Sequence, residues 1–248
     1  MRKPLVQETV KASGMAAASA QSFGRPGNSQ ISPAVPVPAP NGIDAAAVAS
    51  ASWEALEQML PFCKGCAFSA CGRLAPLLEG GSRQASVMFV GDYPSQEDDE
   101  NGAIFSGKTG ELLDKILAAM GLARNGETPD KAVYLANLMK CRRPADRNAM
   151  PAEAQVCLAY LKRQINLVKP RVIVLLGGIA TRFVLGIDSL NEARGIWQKY
   201  GDIPVMPTYH PLFLIRMERN QEALKDVKRK MWNDMKAVME FLQTESGD

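Results

Sequence analysis

Two observations in the sequence predict an α/β fold. Short apolar runs of strand length alternate with longer segments in which apolar residues recur at helical spacing. Such alternation is typical of a parallel sheet covered by helices on both faces. We therefore expect a three-layer α/β/α sandwich around a four-stranded, mostly parallel sheet. The expected strands are 86–90, 132–138, 171–177 and a weaker 203–208, and the expected helices are 110–120, 152–168, 179–185 and 221–243.

The composition is that of a globular protein preceded by an unusual N-terminal segment. The 248 residues are 46% hydrophobic and 22% charged, with a net charge of +3. This balance does not single out a nucleic-acid binder, although a local basic patch can still bind nucleic acid. Residues 1–50 are rich in Ala, Pro, Ser and Gly, which predicts a disordered leader. We expect one domain over 51–248, no secretory signal, no membrane-spanning helix, and a cytoplasmic monomer.

One stretch, residues 87–113, has the pattern of a ligand-binding loop. A buried-strand run at 87–90 leads into a turn at 91–95, an acidic loop, Phe105, and a helix that begins near Thr109. A strand that feeds a Gly- and Pro-containing turn and then a helix places its loop at the carboxyl edge of the sheet. Open α/β sheets bind ligands at that edge. We therefore expect the site to form around this loop.

Five cysteines indicate a metal or redox site more than a disulfide framework, because the number is odd and no export signal is present. Cys63 and Cys66 form a C-x-x-C pair, whereas Cys141 and Cys157 lie far downstream. Buried structural cysteines, a structural zinc site and an iron–sulphur cluster are all compatible with this spacing. Cys71 can replace Cys66 as a ligand, so spacing does not choose between them.

Several short motifs occur in a fixed order between residues 53 and 243. Each is a weak signal by itself, but the ordered set is specific. The motifs are Cys63-x-x-Cys66, Gly91-Asp92-Tyr93-Pro94-Ser95, Phe105-x-Gly107-x-x-Gly110, Ala136-Asn137-Leu138-Met139-Lys140-Cys141-Arg142, Asn148-x-x-Pro151-x-Glu153-x-x-x-Cys157, Lys169-Pro170-Arg171 with the strand to Gly177, and Thr208-Tyr209-His210-Pro211. Together they resemble the iron–sulphur uracil-DNA glycosylases, family 4 of the uracil-DNA glycosylase superfamily.

This resemblance implies a cofactor and a partner. It implies a structural 4Fe-4S cluster held by Cys63, Cys66, Cys141 and Cys157. The partner is uracil-containing DNA, single- or double-stranded, and no nucleotide cofactor is expected.

The resemblance also assigns roles to residues at the sheet edge. Phe105 would stack on a flipped base, Asn137 would read the uracil edge, and His210 would donate to a uracil carbonyl oxygen as the glycosidic bond breaks. The loop at 211–216, which includes Leu212, would press into the space that the base leaves. Taken alone, His210 is equally a structural histidine, Phe105 a core residue and Asn137 a strand-end cap.

The turn at 91–95 departs from the family pattern Gly-Glu-Ala/Gly-Pro-Gly. Asp92 replaces a glutamate, so a carboxylate that positions water or offsets a cationic sugar would sit roughly 1.5 Å back. Tyr93 replaces a very small residue and can narrow the pocket or exclude a methyl group. Gly91 is retained, and Ser95 replaces a glycine. These changes bear on rate and base preference.

DNA contacts are expected from scattered cations, because phosphate contacts position a protein without reading sequence. The clustered cations at 225–230 fit a solvated helix face better. The expected contacts are Lys108, Lys140, Arg142, Arg143, Arg147, Arg216 and Arg219, with Leu212 as an apolar contact.

The function that the sequence predicts is that of a monofunctional uracil-DNA glycosylase, a hydrolase of base excision repair that leaves an abasic site. Asp92 and His210 are the expected catalytic residues. Gly91, Tyr93, Phe105 and Asn137 are the expected substrate-binding residues. Two alternatives are a glycosylase with altered base specificity and a non-catalytic iron–sulphur DNA-binding protein.

Overall fold

A computed structural model describes residues 43–70, 74–143 and 147–244. The expectations for residues 1–42 and for Cys71 lie outside these ranges. The expected disordered leader extended to residue 50, but residues 45–50 form a helix. Asp44 caps this helix through its side chain, and Val48 is buried.

The sheet has six strands in the described part of the chain, in the order β1-β3-β2-β4-β6-β5. The four central strands are parallel, and the two edge strands pair antiparallel. The prediction of a mostly parallel sheet is confirmed, whereas the number of four strands is wrong. The edge strands contain two and three residues, too few for a hydrophobic period to show. The strands are β1 Gly80–Gly81, β2 Val87–Gly91, β3 Val133–Asn137, β4 Val172–Leu176, β5 Gln198–Tyr200 and β6 Ile203–Thr208.

The helices connect the strands, and two of them replace expected loops. Residues 96–101, expected as an acidic loop, form a helix because Ser95 and Asp98 close a capping box at its start. Residues 211–216 are also helical, with Pro211 in the first turn. The helices are α1 Ala45–Ser50, α2 Trp53–Met59, α3 Gln96–Asn101, α4 Gly107–Ala119, α5 Pro151–Val168, α6 Gly178–Leu185, α7 Leu190–Ala193, α8 Pro211–Arg216 and α9 Gln221–Thr244.

Helices cover both faces of the sheet. Successive residues of a strand point to opposite faces, and because the central strands are largely apolar, both faces need a covering layer. On β2, Met88 and Val90 belong to the apolar layer under α5 and α6. Phe89 belongs to the opposite layer, with Leu113 of α4 and Met235 of α9. None of the helices in the described ranges is both long and apolar enough to span a bilayer.

The parallel strands bring four loops to one edge of the sheet. Gly91 at the end of β2 lies opposite Asn137 at the end of β3. Leu176 at the end of β4 lies opposite Thr208 at the end of β6. The segments after these residues therefore converge, as expected for a ligand site at the carboxyl edge.

Candidate active site at the carboxyl edge of the sheet

Gly91 lies at the centre of the candidate site. A Cβ atom there would be 2.4 Å from Asn137 Oδ1, 2.7 Å from Phe105 Cζ and 3.3 Å from His210 Nε2. Any side chain would therefore collide with the Asn137 amide and the Phe105 ring, and would crowd His210. The glycine keeps this space open, so three side chains from distant parts of the sequence share one pocket wall.

Asn137 presents an amide without a partner. The residue is 1% exposed, and neither Oδ1 nor Nδ2 has a hydrogen-bond partner in the described part of the chain. A buried polar group left unpaired costs about 1–3 kcal/mol. A side-chain amide offers one acceptor and two donor hydrogens, so the arrangement suits a ligand edge that carries both a donor and an acceptor.

Phe105 is held in an unusual backbone conformation, with a φ of 51°. Its carbonyl oxygen accepts from Arg124 Nη2 at 2.5 Å, and the oxygen of Ile104 accepts from Arg124 Nη1 at 3.2 Å. A Cβ at Gly110 would lie 1.7 Å from the Phe105 oxygen. A left-handed conformation is costly for a bulky residue and persists only where surrounding contacts enforce it. Here the guanidinium and the close helix start enforce it.

His210 stacks near Phe105, with ring centroids 5.9 Å apart and an interplanar angle of 22°. Its Nδ1 accepts from the backbone N–H of Leu212 at 3.1 Å, so in the neutral ring the proton resides on Nε2. Burial lowers the pKa of His210 to about 4, Asp98 acts in the opposite direction, and Arg216 adds to the lowering. His210 is therefore a neutral donor near pH 7, with Nε2–H at the pocket.

A cavity of about 1260 Å³ opens over these groups. It is larger than one nucleobase requires and exceeds the usual range for small-molecule sites. Its walls combine apolar, aromatic and polar side chains. The lining includes Asp92, Tyr93, Asp98, Phe105, Arg142, Arg143, Asn191, Tyr209, His210, Leu212, Phe213 and Arg216.

Comparison of the sequence with known protein families identifies a superfamily for this chain. The family model of the uracil DNA glycosylase superfamily matches residues 79–236. The chain belongs to the uracil DNA glycosylase superfamily.

The chain is similar to uracil-DNA glycosylases of type 4 and type 5. The chain is 33% identical over 161 residues to the type-4 uracil-DNA glycosylase of Archaeoglobus fulgidus, which covers 60% of this chain and 77% of that protein. It is 32% identical over 170 residues to the type-4 enzyme of Thermotoga maritima, covering 66% and 82%. A type-5 uracil-DNA glycosylase of Pyrobaculum aerophilum is 29% identical over 148 residues, covering 55% and 65%.

In this superfamily member, Asp92 lies against the start of α6. Its Oδ1 accepts from the Ala180 N–H at 2.7 Å, and a Cβ at Gly177 would be 2.5 Å from Oδ2. Burial raises the pKa of Asp92 to about 7, while the backbone bonds from Ala180 and Ile179 oppose the rise. Because this pKa is close to neutral, the carboxyl group can be ionised or protonated near pH 7. It also borders the cavity.

Tyr93 is turned toward the cysteine-bearing end of the site. Its Oη accepts from the Ala149 N–H at 2.8 Å, and its ring stacks on Phe68 at 6.0 Å. The Arg143 guanidinium lies 5.8 Å from the ring. The side chain lines the cavity, but these contacts hold it away from the group at Gly91.

Four cysteines surround a shared region between α2, β3 and α5. Cys63, Cys66, Cys141 and Cys157 are thiols, and the latter two are buried. Burial raises the pKa of Cys157 to about 12, with further increases from Cys66 and Cys63. The thiols therefore lie within electrostatic range of one another. The described residues do not include Cys71. Among them, no group of three or more His, Cys, Asp or Glu side chains could hold one metal ion.

The four described cysteines do not form a single-ion site. A zinc ion draws each thiolate sulphur to about 2.3 Å, and the described side chains do not converge in that way. An iron–sulphur cluster is a larger body that takes one thiolate at each of four corners. The described chain supplies four thiols, two of them buried, which is the number of ligands that such a cluster takes.

The expected DNA contacts fall into three groups. Leu212 and Arg216 lie on α8 at the cavity, and Lys108 is exposed in the first turn of α4. Arg142 also borders the cavity, but its Nε lies 3.4 Å from the buried carboxylate of Asp99. Lys140 is 1% exposed, so the expectation that it meets a phosphate is wrong.

Sequence reasoning gave no role to two residues that position the site. Arg124 fixes the Phe105 carbonyl group, and Asp98 accepts from Ser106 N at 2.6 Å while acting on His210. The pattern Ser95-x-x-Asp98 is a readable capping signal. Nothing local marks Arg124, because it reaches Phe105 across nineteen positions.

Proposed function

We propose that this protein is a monofunctional uracil-DNA glycosylase that hydrolyses the N-glycosidic bond of deoxyuridine and leaves an abasic site. The observation that carries the proposal is the unpartnered, buried amide of Asn137 beside Phe105 and His210. Membership of the superfamily and the type-4 relatives support it.

Base recognition begins with extrusion, since a base stacked in a duplex is unreachable. The flipped uracil would stack on Phe105 and present its edge to Asn137. Uracil carries an N–H donor beside carbonyl acceptors, and the amide complements both. Gly91 leaves the room that this edge needs.

Bond cleavage requires stabilisation of the departing base. The bonding electrons pass to uracil, and negative charge develops on its carbonyl oxygen. The Nε2–H of neutral His210 would donate to that oxygen, which is the kind of preorganised donor that lowers a barrier by about 3 kcal/mol. A neutral histidine suffices here, because its low pKa leaves it uncharged.

Asp92 would act on the sugar side of the reaction. In its ionised form it would offset the positive charge that develops on the deoxyribose and orient the water that attacks the sugar carbon. The bonds from α6 hold the carboxylate in place. The attacking water supplies the hydroxyl of the abasic product, and its proton leaves to solvent.

Cys63, Cys66, Cys141 and Cys157 would hold a 4Fe-4S cluster, whose contribution is structural. The four thiols support this proposal, since they come from the segment after α2, the segment after β3, and α5. Tyr160 lies against Cys63, and its pKa is raised by burial and by that neighbour. The cluster would tie α2 and α5 to the loop after β3, the strand that ends at Asn137.

DNA would bind across the cavity opening. Arg216 and Leu212 on α8 flank the pocket, and Phe213 is 41% exposed beside them. An apolar wedge next to a cation is suited to a strand from which a base has been extruded. Lys108 would add a phosphate contact at the start of α4.

The decisive test is uracil release from a single-stranded oligonucleotide by purified protein. Wild type should release uracil, and His210→Ala should do so about 10²-fold or more slowly. Lys162→Ala, an exposed change on α5, is the control and should match wild type. Wild type that binds DNA and retains iron, yet releases no uracil, would contradict the proposal and favour a non-catalytic binding protein. Release of hypoxanthine or xanthine in place of uracil would favour altered specificity.

A further inference from the structure

Lys140 is a buried lysine close to both the cysteines and the base-reading residue. It is 1% exposed. Its Nζ donates to the backbone oxygen of Asn137 at 2.7 Å and to Gln164 Oε1 at 2.6 Å. An ammonium has three N–H donors, and in the described ranges only two of the three have a partner.

Among the described residues no carboxylate contacts the Lys140 ammonium directly, and Glu79 acts on it from a distance. Across the described residues it forms no ion pair, and both of its acceptors are neutral. The Nε2 of Gln164 donates to the Tyr134 hydroxyl oxygen at 2.7 Å, and the Tyr134 hydroxyl donates to Glu79. Glu79 is itself paired with Arg83, so its charge is already matched. Burying an unpaired charge costs several kcal/mol.

Two of the cysteines lie near Lys140, and one of them, Cys141, follows it directly in the sequence. Burial lowers the pKa of Lys140, and Cys157, Glu79 and Cys141 act in the opposite direction. The backbone N–H of Lys140 also lies in hydrogen-bond contact with Cys157. The residue therefore lies beside Cys141 and Cys157, two of the four cysteines that would hold a cluster.

We propose that Lys140 is a positioning residue that couples the group held by the cysteines to the uracil-reading amide. Its positive charge balances the negative charge of a thiolate-bound iron–sulphur cluster. Its hydrogen bond to the Asn137 carbonyl oxygen fixes the strand end that carries the amide. The second half of this inference rests on the proposed uracil-DNA glycosylase function, whereas the first does not.

Two substitutions separate charge from positioning. Lys140→Met removes both the charge and the donor, and Lys140→Gln removes the charge but keeps an N–H donor. Lys162→Met is the matched control, since it removes an exposed charge from α5. All three are examined as full-length protein for iron content, cluster reduction potential by mediated spectroelectrochemistry, and dissociation constant for free uracil.

The expected results differ between the two readouts. A cation beside the cluster favours the added electron, so both Lys140 variants should have a more negative reduction potential than wild type, or lose iron while remaining folded. Lys162→Met should do neither. Uracil binding should weaken roughly tenfold in Lys140→Met, the scale of one charged hydrogen bond, and less in Lys140→Gln.

Three outcomes would overturn the inference. An unchanged potential with full iron content in both variants would remove the charge role. Uracil binding in Lys140→Met equal to wild type would remove the positioning role. Wild-type protein without an iron–sulphur cluster would remove the coupling itself. If wild type releases no uracil, the proposed function fails, while the potentials still decide the charge role.

Discussion

Asn137 shows at the level of a single residue how a site can be costly to the fold. Its amide is buried and bonds to nothing within the described chain, which costs about 1–3 kcal/mol in the absence of ligand. A side chain retained only for packing or capping would be paired. The unpaired amide therefore supports the proposed binding role of Asn137.

Asn137→Ala should lower kcat/KM for uracil release by about 10²-fold while leaving the thermal midpoint unchanged or raised. The activity falls because both bonds to the base are lost, and the stability does not fall because no protein bond is lost. Steady-state kinetics and thermal unfolding measure the two effects. Asn166→Ala on the exposed face of α5 is the control. Equal losses of stability and activity would show that Asn137 is merely structural.

Asp92 should make activity and stability respond to pH in opposite senses. Its pKa in the native state is about 7, against an ordinary 3.8, chiefly through burial. Above pH 7 the carboxylate is ionised and the rate should reach its plateau. Because the native pKa is raised, its contribution to stability is fully present below about pH 4 and is lost as pH rises through 7.

Asp92→Asn should abolish the rise of kcat/KM through pH 7 and should raise the thermal midpoint at pH 8. His210 does not titrate in this window, since its pKa is about 4. Profiles of kcat/KM and of the thermal midpoint, measured from about pH 5 to about pH 9 so that they span the pKa of Asp92, test both effects. A rate profile in Asp92→Asn that still rises through pH 7 would assign the titration to another group.

At the level of elements, the site depends on how helices begin. The start of α4 approaches the Phe105 carbonyl so closely that residue 110 must be glycine. The start of α6 holds the Asp92 carboxyl group, and the start of α8 sets the tautomer of His210 through the Leu212 N–H. Helix N-termini offer unpaired N–H donors, which suit this role.

Arg124→Met should reduce kcat/KM for uracil release roughly tenfold, because losing a charged hydrogen bond lets the strained Phe105 backbone relax. The methionine keeps most of the side-chain volume. The exposed Arg229→Met on α9 is the control, and single-turnover kinetics measures the effect. Unchanged kinetics in Arg124→Met would mean that the close contact with Gly110 alone maintains the Phe105 conformation.

At the scale of the whole molecule, the cysteines join distant segments. Cys63 and Cys66 follow α2, Cys141 follows β3, and Cys157 lies in α5. The backbone oxygen of Ala51 also accepts from Arg163 of α5 at 2.6 Å. A group bound by the four thiols would therefore attach the N-terminal helices to the strand that carries Asn137.

Cys141→Ser and Cys66→Ser should lose iron and the absorbance at about 400 nm typical of such clusters, and should lower the thermal midpoint. Cys71→Ser should retain the colour, which makes it the matched control. Iron analysis and visible spectra of purified protein distinguish the cases. Colour lost in Cys71→Ser and retained in Cys66→Ser would exchange these two cysteines in the ligand set.

Much of the sheet could be predicted because its signal is local. Residues 87–90 and 172–176 are apolar along their whole length, as strands buried on both faces must be. The edge strands β1 and β5 were not predicted because they are short. They form by pairing with β3 and β6, respectively. The helix at 211–216 was missed because six residues barely exceed one turn.

The sequence by itself determined the α/β architecture, the edge at which the loops meet, and the motifs that resemble one family. These are fixed by local periodicity and by the order of residue types. Only the tertiary structure decided that Asn137 lacks a partner, that Lys140 is buried, and that Asp92 and His210 have shifted pKa values. The physical reason is that burial and pairing are set by groups that approach through space, from positions far apart in the chain.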